Sequence, residues 1–435
     1  MDFLSNQNCS YHTECEAAKR TVIKKNSMRI IYLTLFAALF TSVYAISLEA
    51  QRKVNAEHVI IYSEAARFAG WPANCAAEIF PGDELVTGFI EGPFHLRDGH
   101  NLAKPYTVWL ARSRDGGKTW STTDPSDYVG DYGEQPRLKS LSNPLKFTDP
   151  GFMMRVVGEG YHGANDPRAH FFVSTNRGNT WEGPFPFAGM DPGEFGDSTG
   201  LNEFTPRTDY LVTGEKECII FFSAREKDVF GSDRLFCIKT EDGGLSFQFL
   251  GWILKPFSEE DTARIRTVDL YSKEDRNPYA TQCRAVMSSS VRLPDGTLLT
   301  AVRRKHIVRG GTDPHWLDLY ASEDGGKTWS FRSMISDTGP SNGNPPALEI
   351  TADGRLVVAY GDRRHGTVNI IYSQDQGKTW GDPEILMDGF WSEDMEYNDL
   401  GYPRLFRRSD NKMVAVFYYS TREHPHHLRA SIWKP

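Results

Sequence analysis

Cysteine is scarce in this chain. Six occur in 435 residues, and Cys9 and Cys15 fall in an N-terminal stretch unlike the rest, leaving Cys75, Cys218, Cys237 and Cys283. Four scattered cysteines do not make a disulfide framework. Cys218 and Cys237 lie on two apolar runs that can pair, so a cross-strand disulfide is the one bridge the sequence suggests. No CxxC pair, HExxH or similar ligand spacing is present, which argues against a bound metal, and no cofactor is expected. Basic charge is not in excess: 49 Lys and Arg stand against 57 Asp and Glu, a net charge of −8. That gives no support for nucleic-acid binding, which wants a basic face. The chain is 39% hydrophobic and 12% aromatic, with 38 Gly and 24 Pro in no strict period. Such a composition excludes a disordered tail and a collagen-like repeat, and supplies a sizeable core.

Long apolar runs are missing except near the start. Lys24, Lys25 and Arg29 precede the mostly apolar Ile30 to Phe40, then Ser42-Val43-Tyr44-Ala45. This reads as a secretory signal peptide starting at Met28 and cleaved after Ala45, because the run is too short for a membrane anchor. The expected organisation is a leader over 1–45, a linker over 46–57 and one domain over 58–435. The mature chain is expected to be exported, periplasmic or secreted, without membrane insertion.

One pattern recurs five times: Ser113 to Trp120, Ser174 to Trp181, Thr240 to Phe247, Ser322 to Trp329 and Ser373 to Trp380. The starts lie 61, 66, 82 and 51 residues apart, a period that means a propeller, solenoid or array. Each copy reads as a tight turn. Asp or Asn folds back on the backbone, Gly takes the positive φ, and the aromatic tucks underneath. A second punctuation alternates with it at Pro81-Gly-Asp83, Asp295-Gly296, Asp353-Gly354 and Ser409-Asp410-Asn411, each followed by an alternating apolar stretch. Two hairpins per repeat give four strands, the blade of a β-propeller. The strand His58 to Tyr62 is expected to complete the last blade.

The Ser-x-Asp-x-Gly-x-Thr-Trp copies are Asp-boxes, and over about 58–435 the chain resembles the sialidase (neuraminidase) superfamily. The resemblance implies an all-β fold, a six-bladed β-propeller of four-stranded antiparallel blades. Asp-boxes specify this kind of blade and not an activity.

Strand direction locates the ligand-binding rim. With both kinds of turn on one face, the starts of first strands and the ends of second strands share the other. Counting back from the turns places Tyr402, Met287 with Arg284, Asn344, and Trp71 to Cys75 (Asn74 included) there. Counting forward places Glu91, Arg303, Arg363 with Arg364, and Tyr418 there. The loops of this rim are rich in cations and imidazoles, among them His95, His100, His162, His170, His315 and His426. Such a rim suits an anionic ligand, and Arg grips a carboxylate with two parallel hydrogen bonds.

Sialidases hold the sugar carboxylate with three Arg, attack with a Tyr activated by a Glu, and use an Asp as acid/base. The resemblance makes Tyr402 the nucleophile, Arg303 and Arg363 or Arg364 the second and third arginines, and Asp98 the acid/base. Two departures stand out. Gly70-Trp71-Pro72 replaces the segment of the first arginine, leaving Arg67 as a substitute. Met287 stands where the family has its Glu, so Arg284, Arg303 or a His must assist Tyr402, with Asp399 or Glu396 taking the proton. The leading expectation is an exo-glycosidase removing a terminal acidic sugar from an oligo- or polysaccharide. A β-eliminating lyase or dehydratase on uronic acids is the alternative, with Tyr402 and His162, His170 or His315 moving the proton beside the same arginines. A non-catalytic glycan-binding propeller is the third.

Overall fold

Each Asp-box closes on itself through its own side chains, which is why the short pattern suffices to fix a hairpin. In the first copy Ser113 Oγ donates to Asp115 Oδ1 at 2.8 Å and accepts from Gly117 N at 2.8 Å. Asp115 also accepts from the backbone N–H groups of Lys118 and Thr119, and Trp120 Nε1 donates to Gly117 O at 2.9 Å. The same set recurs at Ser322 to Trp329. Burial alone pushes Asp115 up, but these donors outweigh it and hold the carboxyl down at about 2.

The computed structural model describes residues 51–96, 100–125, 137–158, 167–227, 232–256, 283–306, 315–339, 343–393 and 398–435. They form six antiparallel sheets. Blade 1 holds β2 (Arg67–Gly70), β3 (Ala77–Phe80), β4 (Glu84–Pro93), β5 (Thr107–Ser113) and β6 (Ser121–Thr123). Blade 2 shows β7 (Met153–Gly158), β8 (Ala169–Ser174) and β9 (Glu182–Pro186) among the described residues. Blade 3 contains β10 (Glu203–Phe204), β11 (Tyr210–Val212), β12 (Cys218–Arg225), β13 (Arg234–Thr240) and β14 (Gln248–Trp252), with helix α1 (Pro192–Thr199) ahead of it. Blade 4 is β15 (Cys283–Arg292), β16 (Leu298–His306), β17 (His315–Ser322) and β18 (Ser330–Asp337). Blade 5 is β19 (Ala347–Ile350), β20 (Leu356–Asp362), β21 (Thr367–Ser373) and β22 (Glu384–Met387). Blade 6 is β23 (Gly401–Arg407), β24 (Met413–Tyr419) and β25 (His427–Trp433), completed by β1 (Ala56–Tyr62) from the other end of the chain.

Alternation along the strands builds the ring. Odd-numbered residues of β12 and β13, such as Ile219, Phe221 and Leu235, pack with Ala285 and Val302 of blade 4. Even-numbered ones, such as Ile220, Phe222 and Phe236, pack with Phe171 and Phe185 of blade 2. Further clusters fill the seams between blades 1 and 2, 4 and 5, 5 and 6, and 6 and 1. Six seams between six blades close the circle.

The same alternation removes the expected disulfide. Cys218 lies opposite Thr240 and Cys237 opposite Phe221, so the two side chains enter different seams and both thiols are free. Register, not the apolar character of the two runs, decides the pairing.

Candidate functional site

Register also separates the two rims. The Asp-boxes begin beside the starts of second strands, as in Ser322↔Leu298 and Ser373↔Leu356. The opposite ends carry Gly401↔Tyr418 and Val286↔Arg303. Tyr402, Arg303 and Arg363 therefore stand on the rim away from the Trp-bearing turns.

Three first strands reach this rim through strained backbone. Trp71 (φ 55°), Met287 (φ 60°) and Tyr402 (φ 49°) all take the left-handed region that bulky residues avoid. Met287 and Tyr402 sit at register shifts, between Val286 and Ser288 and between Gly401 and Arg404, where a bulge re-aims a side chain. Asn344 Oδ1 accepts from Tyr402 N at 2.8 Å. A Cβ on Gly401 would come within 1.9 Å of that oxygen, so the Gly-Tyr pair is a steric requirement.

The side chains meet as follows. Arg303 Nη1 is 3.3 Å from Tyr402 Oη and 3.2 Å from Met287 Sδ. The Arg363 guanidinium lies 5.8 Å from the Tyr402 ring centre and donates to Tyr418 Oη at 2.9 Å and Asp399 Oδ1 at 3.2 Å. Asp399 also accepts from Tyr418 Oη, from His100 Nδ1 at 2.9 Å and from Asn101 N at 3.2 Å. Arg303 is 1% exposed, and Arg363 and Tyr402 are each 4% exposed.

Burial pushes the Asp399 carboxyl up, yet His100 and Arg363 overcome that and hold it far below the usual carboxylate range. Burial pulls His100 below its ordinary value, and Asp399 offsets this only in part. The lowered value favours the neutral imidazole of His100, and its Nδ1 faces the Asp399 carboxylate. Its ring meets Trp71 edge-on at 4.6 Å and Tyr402 at 5.8 Å. An imidazole oriented by a buried carboxylate is the arrangement of a general base.

Other expected residues are held by other partners. Arg67 forms a two-pronged pair with Glu91, both contacts 2.5 Å. Arg284 Nε donates to the buried Asp233 at 2.6 Å, and Arg364, half exposed, pairs with Asp337 at 3.3 Å. His170 sits on β8 with its ring edge-on to Phe172, and His315 is buried at the start of β17 opposite Lys305. Asn74 ends the short 3-10 turn Pro72–Asn74 and is buried. Asp98, His162 and Glu396 lie outside the described residues. Asp399 was legible only as one of two proton acceptors, and its union with His100 and Tyr418 carries no local signal.

Deeper along the axis is a cavity of about 190 Å³, lined by Glu78, Asp209, Tyr210, Ser290, Glu349 and Arg404 among others. Arg404 donates to the carbonyls of Pro72, Ala73, Cys75 and Thr208 at 2.7 to 3.3 Å. Burial raises Glu78 to about 7 against the opposing Tyr210 hydrogen bond and Arg404 charge, and it also raises Asp209 and Glu349. Among the described residues no group of three His, Cys, Asp or Glu side chains is placed to hold a metal, and no helix is long and apolar enough to cross a membrane.

A family model described as BNR/Asp-box repeat matches residues 111–122. No curated protein matches the chain by sequence. Among solved structures, a protein from Dyadobacter fermentans is similar with a TM-score of 0.61 at 16% identity, covering 88% of this chain and 99% of its own. An α-L-arabinanase from Penicillium chrysogenum, complexed with arabinobiose, gives 0.53 at 14% identity, covering 87% and 98%. A Trypanosoma rangeli sialidase in complex with sialic acid gives 0.50 at 14% identity, covering 88% and 58%. At these identities the likeness is one of fold. The chain has the six-bladed, Asp-box-bearing propeller fold of the sialidase superfamily.

Proposed function

We propose that this chain is an exported carbohydrate-active enzyme that cleaves the glycosidic bond of an acidic sugar in an oligo- or polysaccharide. One observation carries the reading: Tyr402, on strained backbone at the rim, has its hydroxyl beside Arg303 and its ring beside Arg363. Two guanidinium groups next to one phenol suit a saccharide that bears a carboxylate. Glycosidases on the same fold are consistent with a glycosidic-bond-cleaving enzyme. Export rests on the leader sequence alone.

In the hydrolytic route Tyr402 Oη attacks the anomeric carbon as the bond to the aglycone oxygen breaks, the aglycone leaves as an alcohol on taking up a proton, water then releases the sugar from Tyr402, and the Tyr402 proton needs an acceptor. Met287 cannot serve, and the nearby neutral imidazole of His100, oriented by Asp399, is the available base. The same inventory supports a second reading. Arginines that neutralise a uronate carboxylate acidify the C5 proton, and His100 or Tyr402 removes it with loss of the 4-linked sugar. The lack of a carboxylate at Met287 favours this β-elimination over a Tyr and Glu couple. Product analysis on sialylated and uronate-bearing oligosaccharides tests both. Elimination gives an unsaturated uronate that absorbs in the ultraviolet, hydrolysis gives a free acidic sugar without it, and neither product from any member of the panel would overturn the proposal.

A further inference from the structure

Two of the strained segments at the rim are tied together by one side chain. The first strand of blade 1 is broken between β2 and β3, where Trp71 takes the left-handed region and Pro72–Asn74 form a 3-10 turn. Such a break leaves carbonyls that strand pairing would have satisfied, and folded chains leave few of these without a donor. Cys75 N donates to Pro72 O at 3.0 Å, and the rest of the turn is closed from outside. Arg404 Nη2 lies 2.9 Å from Ala73 O, 2.7 Å from Cys75 O and 2.7 Å from Thr208 O, and its Nε lies 3.3 Å from Pro72 O. Ala73 and Arg404 are 331 residues apart, and Thr208 stands between β10 and β11, so one guanidinium joins blades 6, 1 and 3. All these acceptors are backbone atoms. The bonds therefore fix main-chain position rather than balance a charge.

The same residue ends the bulge that aims Tyr402. Pairing of β23 with β24 runs Gly401↔Tyr418 and then skips to Arg404↔Val416, so Tyr402 and Pro403 are outside the ladder. Asn344 holds the start of the bulge at Tyr402 N, and Arg404 is its other end. A left-handed φ at a bulky residue is costly and lasts only where the surroundings enforce it. We propose that Arg404 is a positioning residue: its guanidinium clamps the Trp71–Cys75 turn against the Tyr402 bulge, so that the Trp71–His100 pair and Tyr402 keep one common geometry. The inference takes Tyr402 and His100 as the reacting groups of the acidic-sugar reading and adds a residue that acts on them through the backbone. Arginine suits the task because its donors form a rigid planar fork, whereas lysine offers a single point. Arg404 also lines the axial cavity, so water can follow a shorter side chain to the freed carbonyls.

The test is the titration of His100 in the full chain, followed by NMR at its Cε1–H and assigned by the signal lost in His100→Gln. Burial is the largest cause that lowers this group, and the charged and titratable groups around it are Asp399, Arg363, Arg303 and His426, all left in place. Arg404→Gln removes the fork, and Arg404→Lys keeps the charge while gathering the donors on one atom. Each is expected to raise the His100 midpoint by about 0.5 pH unit or more, as Trp71 withdraws and water reaches the imidazole. Arg407→Gln, at an exposed position on the same strand, is expected to leave it unmoved. On whichever member of the sialylated and uronate-bearing panel the wild type cleaves, both Arg404 variants are expected to lose about tenfold in kcat with KM within about twofold, since a misplaced reacting group costs turnover rather than binding. Should Arg404→Gln not fold, Arg404→Lys alone decides, and failure of both to fold assigns Arg404 to the framework and overturns the positioning role. An unmoved midpoint in a folded Arg404 variant, or an unchanged kcat, also overturns it, and leaves the acidic-sugar reading standing if the wild type cleaves acidic glycans. A moved midpoint in a chain that cleaves none of the panel upholds the clamp and overturns that reading, and an unmoved midpoint without cleavage overturns both.

Discussion

His100 and Asp399, 299 residues apart in the chain, meet at 2.9 Å between Nδ1 and Oδ1. The contact joins a blade 1 loop to the segment that leads into β23, so it crosses the seam where the ring closes. Asp399 is fully buried and also receives Arg363, Tyr418 and Asn101. Its charge organises the site and balances a buried guanidinium.

Asp399→Asn leaves Arg363 without its counter-charge in a water-poor place. Breaking a buried ion pair on one side costs about 3–5 kcal/mol, and the carboxylate that orients the His100 ring through Nδ1 is lost. The variant is expected to lose about 3 kcal/mol in urea unfolding and at least a hundredfold in turnover. The conservative change keeps the shape, so the two losses report the charge.

His100 gives a pH signature. Burial favours its neutral form, and the folded value lies below the ordinary 6.5. A base of this kind works when unprotonated. Turnover is therefore expected to fall on the acid side, with the midpoint of that limb below pH 6.5. A pH–rate profile checks this, and His100→Gln is expected to abolish that limb with the rate already low.

Glu78 gives a stability signature away from the site. Its folded value is raised to about 7, above the unfolded 4.5 of the same group. Its favourable contribution is complete below pH 4.5 and is lost as pH rises through 7. Glu78→Gln keeps an acceptor for Tyr210 Oη, which donates to Glu78 at 2.6 Å, and removes the buried charge. The variant is expected to match wild type at pH 4 and to exceed it by about 1–3 kcal/mol at pH 8 in chemical unfolding.

The blades were readable because an Asp-box is local. Ser, Asp, Gly and Thr close the turn within eight residues, whatever the rest of the chain does. Tyr402, Arg303 and Arg363 followed from counting strand lengths outward from those turns, since strands of similar length end at the same level. Partners of long sequence separation were not readable. Nothing local tells Arg284 that it will meet Asp233, 51 residues away, or Arg67 that Glu91 will take both its prongs. The cysteine pairing failed for a related reason: the link between β12 and β13 leaves register free, and one residue of register exchanges the two seams.

The account stands or falls on the carboxylate of the ligand. Its most direct test is the turnover of an acidic oligosaccharide compared with the same oligosaccharide carboxyl-reduced to the neutral sugar, with Tyr402→Phe as control. The arrangement of Arg303, Arg363 and Tyr402 predicts at least a hundredfold loss of kcat/KM on reduction, and a loss at least as large for the Tyr402 variant on the native substrate. Equal turnover of the acidic and reduced sugars, or full activity without the Tyr402 hydroxyl, would contradict it.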